Sequence, residues 1–398
     1  MAGPSGETAT PVRVLLGPGP SSVHPQVTAA LAAPVLGHLD PAFIKVMDDT
    51  MALLRQVFQT HNALTFPLSG TGSAGMEAAL CNALEPGDTI VVGVNGYFGA
   101  RMMEMAARCG ARPVPVKAEW GRIIAPEAIE SALRRQARVK AIAVVHAETS
   151  TGVLQPLEEI GRLAQEHGAL LIVDAVTSLG GHAVAVDDWG IDICYSGTQK
   201  CLGAPPGLAP ITFGDRAQEA LGKRQSKVQS WYLDVTLLRD YWMGSPRAYH
   251  HTASSPLVLA LREALRMVLE EGLAAQFKRH LTNGAALQGG LEAMGLKLFA
   301  QEGHRLSVLT AVRVPEGIDE LRVRQALLNE EGIEIGGGLG ELRGKIWRIG
   351  LMGYSSSKRN ALLVLSALER ALARQGFELS PGIGLETAEK VWKMMEAR

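Results

Sequence analysis

Between Val12 and Ala209 the chain alternates short β-branched runs with amphipathic helical segments, and this alternation restricts the fold more than any other feature. The runs DTIVVGVN (Asp88–Asn95), KAIAVVHAE (Lys140–Glu148), ALLIVDAV (Ala169–Val176) and IDICYSG (Ile191–Gly197) are apolar through their centres. Strands of that kind are buried on both faces. Between them lie helical patterns such as APEAIESALRRQA (Ala125–Ala137) and PLEEIGRLAQEHG (Pro156–Gly168). Strand, helix and strand at this spacing form right-handed βαβ units. The expected fold is α/β, with a mostly parallel central sheet covered by helices on both faces.

A chain of 398 residues exceeds what one hydrophobic core usually serves. The Gly-, Pro- and Ser-rich start reads as a mobile arm over residues 1–12. Residues 13–271 are expected to form a large domain. A long helical region follows from Pro256 to Met294, punctuated by Gly272 and by Gly289–Gly290. The segments after it, among them RLSVLTAVRVP and KIWRIGLMG, mix strand and helix, so residues 272–398 read as a smaller C-terminal α+β domain. Lys and Arg number 39 against 40 Asp and Glu, which offers no field for a nucleic acid or an anionic membrane as partner. No apolar run approaches the ~20 residues of a membrane span. The first residues lack the basic and apolar segments of a secretory signal. The four cysteines show no C-x-x-C spacing, which suits a reducing compartment. A cytoplasmic location is expected.

Ligands of open α/β sheets collect where strands end, so the residues just after each strand carry the chemistry. Lys200 follows the YSG strand end in GTQKCLGAPPG. Taken alone it reads as a surface lysine at a loop start or as a buried amine. Burial favours the neutral form that Schiff-base chemistry requires. Asp174 closes LLIVD and alone is as well explained as a cap. Together they fit pyridoxal 5'-phosphate, which needs a lysine for its aldehyde and a carboxylate for its ring nitrogen.

The stretch LSGTGSAGMEAAL spells G-x-G-x-x-G from Gly70 to Gly75. A dinucleotide fingerprint needs an acid at a strand end about 20 residues later. Asp88 stands instead at the entry of the next strand. The stretch suits a single phosphate, with Gly70 and Gly72 permitting close approach, Thr71 and Ser73 offering hydroxyls, and a helix beginning there. Gln199 is a further donor. Phe98, between Gly96 and Gly99, reads as a core aromatic or as a stacking partner for a planar ring. Thr149, Ser150 and Thr151 cap a turn or meet ring substituents. Arg348, inside the apolar strand of KIWRIGLMG, serves a structural ion pair or a substrate carboxylate. His250 and His251 are adjacent, so on a strand they point to opposite faces and hold no metal.

In order along nearly the whole chain, LLGPGPSSVHPQV, GTGSAGMEAAL, VNGYFGAR, HAETSTGVLQPLEEIG, LIVDAVTSLGG, YSGTQKCLGAPPGLA, YHHT and WRIGLMG resemble the class V aminotransferases. The alanine–glyoxylate (serine–pyruvate) branch is the nearest in pattern. The resemblance implies a fold-type I transferase with a seven-stranded-type sheet. It implies pyridoxal phosphate as cofactor and a ping-pong transfer from L-alanine or L-serine to glyoxylate or pyruvate. It makes Lys200 the Schiff-base lysine and sets Asp174 on the ring nitrogen. Val176 and Phe98 then pack on the two ring faces. Thr71, Gly72, Ser73 and Gln199 hold the phosphate, Thr149 meets the ring substituents, and Arg348 takes the substrate carboxylate. It further implies a homodimer with shared sites: Tyr249 and Thr252 reach the neighbouring subunit's phosphate, and Gly37 lines the mouth of the partner's site. Phe98 stands where this branch often carries Trp, and Ser73 where relatives often carry His. Phosphonate or phosphoserine aminotransferases are the alternative within the family, needing cations for a second phosphate or phosphonate. A desulfurase would need a mobile cysteine, and none follows Cys201. A nucleotide-dependent oxidoreductase would rest on Gly70–Gly75 alone.

Overall fold

A computed structural model describes residues 10–396. Most of the arm expected over 1–12 therefore lies outside the described residues, as does the end of the small domain. Strand β1 (Val14–Leu15) leads into helices α1 (Pro25–Leu31) and α2 (Pro41–Val57). Asp40 begins α2 by accepting the Ala42 N–H at 2.7 Å, with Pro41 in the first turn, where its missing N–H costs nothing. Next come β2 (Leu64–Ser69), α3 (Gly72–Ala83), β3 (Thr89–Val94), α4 (Tyr97–Arg108), β4 (Arg112–Lys117), α5 (Pro126–Arg134) and β5 (Ala141–Val145). A short antiparallel pair, β6 (Ala147–Glu148) and β7 (Val153–Leu154), precedes α6 (Glu158–Glu166), β8 (Leu170–Asp174), β9 (Ile193–Tyr195) and β10 (Leu208–Phe213). After α7 (Asp215–Gly222) and α8 (Val235–Met243), the long helical region is two helices, α9 (Ser255–Glu271) and α10 (Leu273–Ala293). Gly272, at φ 85°, separates them in a backbone region that favours glycine. The chain ends with β11 (Leu309–Arg313), α11 (Glu320–Glu330), β12 (Ile333–Glu334), β13 (Gly336–Gly337), β14 (Ile346–Gly350), α12 (Lys358–Ala373) and α13 (Ile383–Glu396).

Among the described residues, seven strands form the central sheet in the order β2-β10-β9-β8-β5-β3-β4. Only β10 runs against its neighbours; β9, β8, β5, β3 and β4 are mutually parallel. Because β10 is antiparallel to both β2 and β9, β2 points the same way as the rest. The carboxyl ends of β2, β3, β5, β8 and β9 therefore share one edge.

Three of these strands break the pattern used to read the others. LTFPLS (β2), RPVPVK (β4) and LAPITF (β10) contain proline, which ordinarily argues against a strand. β2 and β4 are the sheet edges, where a missing N–H is tolerated. In β10, Pro210 sits opposite Pro67 of β2, so the two residues without an N–H face each other. The strand expected over Lys140–Glu148 is divided, with β5 ending at Val145 and β6 starting at Ala147.

One apolar core runs from Val27 to Val268 around this sheet. A second gathers α10, α11, α12 and α13 on the small sheet β11-β14-β13. Leu16 belongs to the second core, because β1 pairs with β12. Among the described residues, no helix is long and apolar enough to cross a membrane.

Candidate active site

A cavity of about 240 Å³ opens at the shared carboxyl edge of the sheet. Thr71, Gly72, Ser73, Phe98, Thr149, Asp174, Val176, Gln199 and Lys200 line it, drawn from the turns that follow β2, β3, β5, β8 and β9. These are the cofactor-binding residues expected from a single chain; Arg348, expected beside them, is not on this wall.

Asp174 is the last residue of β8 and is 4% exposed. Its Oδ1 accepts the Val176 N–H at 2.8 Å and its Oδ2 accepts the Tyr195 hydroxyl at 3.0 Å. Burial pushes the carboxyl up to about 6, against those two donors and the positive charges of Lys200 and Arg101. Lys200 is 9% exposed. Burial, reinforced by the Arg348 guanidinium, pushes its amine down to about 8, so an appreciable fraction is neutral near physiological pH. Its Nζ donates to the Pro18 carbonyl. Gly19, at φ 110°, gives the lysine room: a β-carbon there would lie 2.6 Å from Nζ.

Helix α3 starts at the cavity wall. Thr71 stands at its N-cap without a side-chain bond to the helix, which leaves the hydroxyl and the first N–H groups available to an anion. Gly72 packs on Val176, where a β-carbon would come within 3.0 Å of Cγ2.

Arg348 on β14 is buried, its Nε donating to the Gly337 carbonyl at 2.7 Å and its Nη1 to the Thr149 carbonyl at 3.3 Å. It lies behind Thr149 rather than on the cavity wall. Burial pushes its guanidinium down to about 10, opposed by Glu148. Gly37, Tyr249 and Thr252 are exposed and do not line the cavity of their own chain. Tyr249 is 64% exposed, and its ring rests 5.0 Å from that of His38, beside Gly37.

Several residues that the fold brings to this edge carry little or no signal in the sequence. Arg101, one turn beyond Phe98 on α4, lines the cavity. Its Nη1 donates to Ser73 Oγ at 3.0 Å, and its guanidinium lies 4.9 Å from the centre of the Phe98 ring. The i, i+3 spacing from Phe98, which becomes one face of α4, is the available signal. Tyr195, legible only as part of a strand, holds Asp174. Glu148, fully buried beside Thr149, has no local signal at all.

Comparison with known proteins gives this edge of the sheet a family. The family model for aminotransferase class V matches residues 24–344. The (S)-ureidoglycine–glyoxylate transaminase of Bacillus subtilis is 42% identical, over 97% of this chain and 97% of its own. The alanine–glyoxylate aminotransferase of Callithrix jacchus is 43% identical, over 91% of this chain and 88% of its own. Among solved structures, an alanine–glyoxylate aminotransferase from Nostoc sp. superposes with a TM-score of 0.90 at 50% identity, covering 93% of this chain and 97% of its own. With a lysine and a carboxylate at adjacent strand ends and a helix N-terminus facing both, the chain belongs to the class V aminotransferases and is a pyridoxal-phosphate-dependent transaminase of the fold-type I architecture.

Proposed function

We propose that the enzyme transfers an amino group from a small amino acid, L-alanine or L-serine, to glyoxylate or pyruvate, in two half-reactions at the one cavity. The observation that carries this reading is the meeting of Lys200, Asp174 and the start of α3 around a single small cavity. The names of the relatives support glyoxylate as acceptor. The residues present fit the cofactor. Gln199 Oε1 is buried without a partner beside the cavity, and rotation of the amide would present its NH₂ to a phosphate. Gly72 and Gly197 leave room for the two cavity-lining side chains beside them, since a β-carbon on either would crowd Val176 or Gln199.

Pyridoxal phosphate, when bound, supplies an aldehyde that carries the amino group and a cationic ring that withdraws electrons. Thr71, Gly72, Ser73 and Gln199 would bind its phosphate, with Arg101 adding a full positive charge. Phe98 and Val176 would hold the ring faces, and Thr149 the ring substituents. Asp174 would keep a negative charge against the ring nitrogen. Lys200, neutral in part because it is buried, would take the proton from the substrate's Cα and return it on the other side of the transfer. Arg348 would orient the substrate carboxylate with its planar fork. The likeness to the ureidoglycine enzyme, which runs over 97% of both chains, favours a second class of donor, an amino acid bearing a ureido group.

We assign residues 13–271 and 272–398 to a large and a small domain, a division supported by the two apolar cores from Val27 onward, with β1 and Leu16 packed into the second. We also place Tyr249, Thr252 and Gly37 at the active site of a second copy. The exposed Tyr249, Trp231, Tyr232, Val35 and Leu39 support such an interface. Four unpaired thiols support a cytoplasmic location.

The visible absorption of the purified enzyme tests the function. A cofactor band lost on adding L-alanine, L-serine or a ureido amino acid and restored by glyoxylate is expected, with the most effective donor naming the substrate. Lys200→Ala should abolish turnover; residual transamination near the wild-type rate would show that another group moves the Cα proton.

A further inference from the structure

Glu148 is fully buried and belongs to none of the roles above. Its Oε2 accepts the N–H groups of Phe98, at 3.1 Å, and Gly99, at 3.4 Å. Its Oε1 accepts the Ser150 N–H at 3.0 Å and the Ser150 hydroxyl at 2.6 Å. Ser150 Oγ in turn accepts the Tyr97 N–H at 2.9 Å. The donors lie some fifty residues apart, in the first turn of α4 after β3 and in the turn after β6. The first carries Phe98 and, a turn later, Arg101. The second carries Thr149, whose carbonyl takes Arg348. One carboxylate thus ties together the start of α4, the Thr149 turn and, through that turn, the buried arginine. Gly96 closes the arrangement: its φ of −178° is open to any residue, yet a β-carbon there would collide with Glu148 Cγ and Cδ and with Ser150 Oγ.

We propose that Glu148 is a positioning residue that sets the distance between the Phe98 side and the Thr149 side of the cofactor cavity, and that Gly96 is glycine to leave space for its carboxylate. The proposal rests on the reading of the cavity as a pyridoxal-phosphate site. A preformed gap of fixed width lets a planar ring bind without ordering either segment, and displacements near 1 Å at such a site cost on the order of 100-fold in rate. Glutamine at 148 keeps one acceptor oxygen for four donors, so it should serve partially.

The test uses Glu148→Ala, Glu148→Gln, Gly96→Ala and the Glu148→Ala/Gly96→Ala pair, each compared with wild type. Three quantities are read: the dissociation constant for pyridoxal phosphate after reversible stripping, the visible circular dichroism of the bound cofactor, and kcat against KM at saturating cofactor. Glu148→Ala should raise the dissociation constant about tenfold or more, diminish the dichroic band and lower kcat more than it changes KM, following the cost of misplacement. Glu148→Gln should fall between it and wild type. Gly96→Ala should weaken binding alone and add less to Glu148→Ala than it costs by itself, because its closest clash, with the Glu148 side chain, is then gone and only Ser150 Oγ is left in its way. Cofactor binding and dichroism at wild-type levels in Glu148→Ala would overturn the proposal. So would equal further loss when Gly96→Ala is added to that variant. A purely structural role would lower thermal stability in both single variants without the dichroic change, and that result too would overturn it. Failure of the wild-type protein to bind pyridoxal phosphate would instead overturn the underlying reading, and the proposal with it.

Discussion

At the scale of single residues, the informative feature is how two groups of opposite charge are both moved toward neutrality by burial. Lys200 is pushed down to about 8 and Asp174 up to about 6. A lysine is useful as a base only when neutral, and a carboxylate holds a ring N–H best when ionised. The hydrogen bonds on Asp174 work against its burial, and Tyr195 is one of two donors. Removing that donor raises the carboxyl further, so the ionised form disappears at a higher pH as the solution is acidified. Pyridoxal phosphate affinity should therefore fall below about pH 6 in the wild type, the value to which Asp174 is raised. In Tyr195→Phe the same fall should begin at a higher pH, with the ring's packing retained. Titrating cofactor binding against pH in both proteins checks this, and coincident curves would separate Tyr195 from Asp174. Asp174 and Lys200 were legible from sequence as a pair, because one closes an apolar strand run and the other stands in the turn after the next. Tyr195 was hidden because a tyrosine inside such a run is ordinarily core.

At the scale of elements, α3 shows how one helix start can serve binding at the expense of helix propensity. Glycine costs about 1 kcal/mol relative to alanine inside a helix, and α3 begins with it. The space explains the choice, since a β-carbon on Gly72 would stand 3.0 Å from Val176 Cγ2 and 3.3 Å from Cγ1. Gly72→Ala should leave the melting temperature unchanged or slightly raised. Its affinity for inorganic phosphate and for pyridoxal phosphate should fall, about tenfold if the helix start is displaced enough to cost ~1.4 kcal/mol. Calorimetric titration beside a thermal melt separates the two effects. Affinity equal to wild type would show that Val176 yields without cost. The strands β2, β4 and β10 were not legible because proline argues locally against a strand. The exception depends on each strand's place in the sheet and on the Pro67–Pro210 register, neither of which is a property of a short window.

For the whole molecule, the cavity is lined by residues between Thr71 and Lys200, and two segments of the second core's side reach its neighbourhood. Arg348 comes from the small sheet to the Thr149 carbonyl, and Gly19 of the first turn abuts Lys200. Tyr249, 64% exposed, and Trp231, 62% exposed, remain outside. If Tyr249 completes the site of a second copy, Lys200→Ala and Tyr249→Ala subunits are each impaired alone but complementary. A hybrid of the two contains one cavity with both residues intact. After dissociation and reassembly, an equal mixture should regain about a quarter of wild-type activity, as expected for random pairing in a two-fold dimer. Sedimentation should give twice the 42.4 kDa chain mass. A mixture no more active than its components would return Tyr249 to its own subunit or to the surface.

The amino-acid order by itself determined the central sheet's parallel core and the convergence of Thr71, Phe98, Thr149, Asp174 and Lys200. Right-handed βαβ connections carry every such strand in one direction, so residues that follow strands arrive at one edge wherever the helices pack in detail. Tertiary structure alone decided the reversal of β10, the placing of Arg101 against Ser73, the turn of Arg348 toward a carbonyl 199 residues away, and the fastening of the start of α4 to the Thr149 turn by Glu148. Those outcomes depend on which buried donors and acceptors find each other when separate elements close into contact. Burial makes satisfying them necessary, but the partner is chosen by three-dimensional proximity, which no stretch of sequence contains.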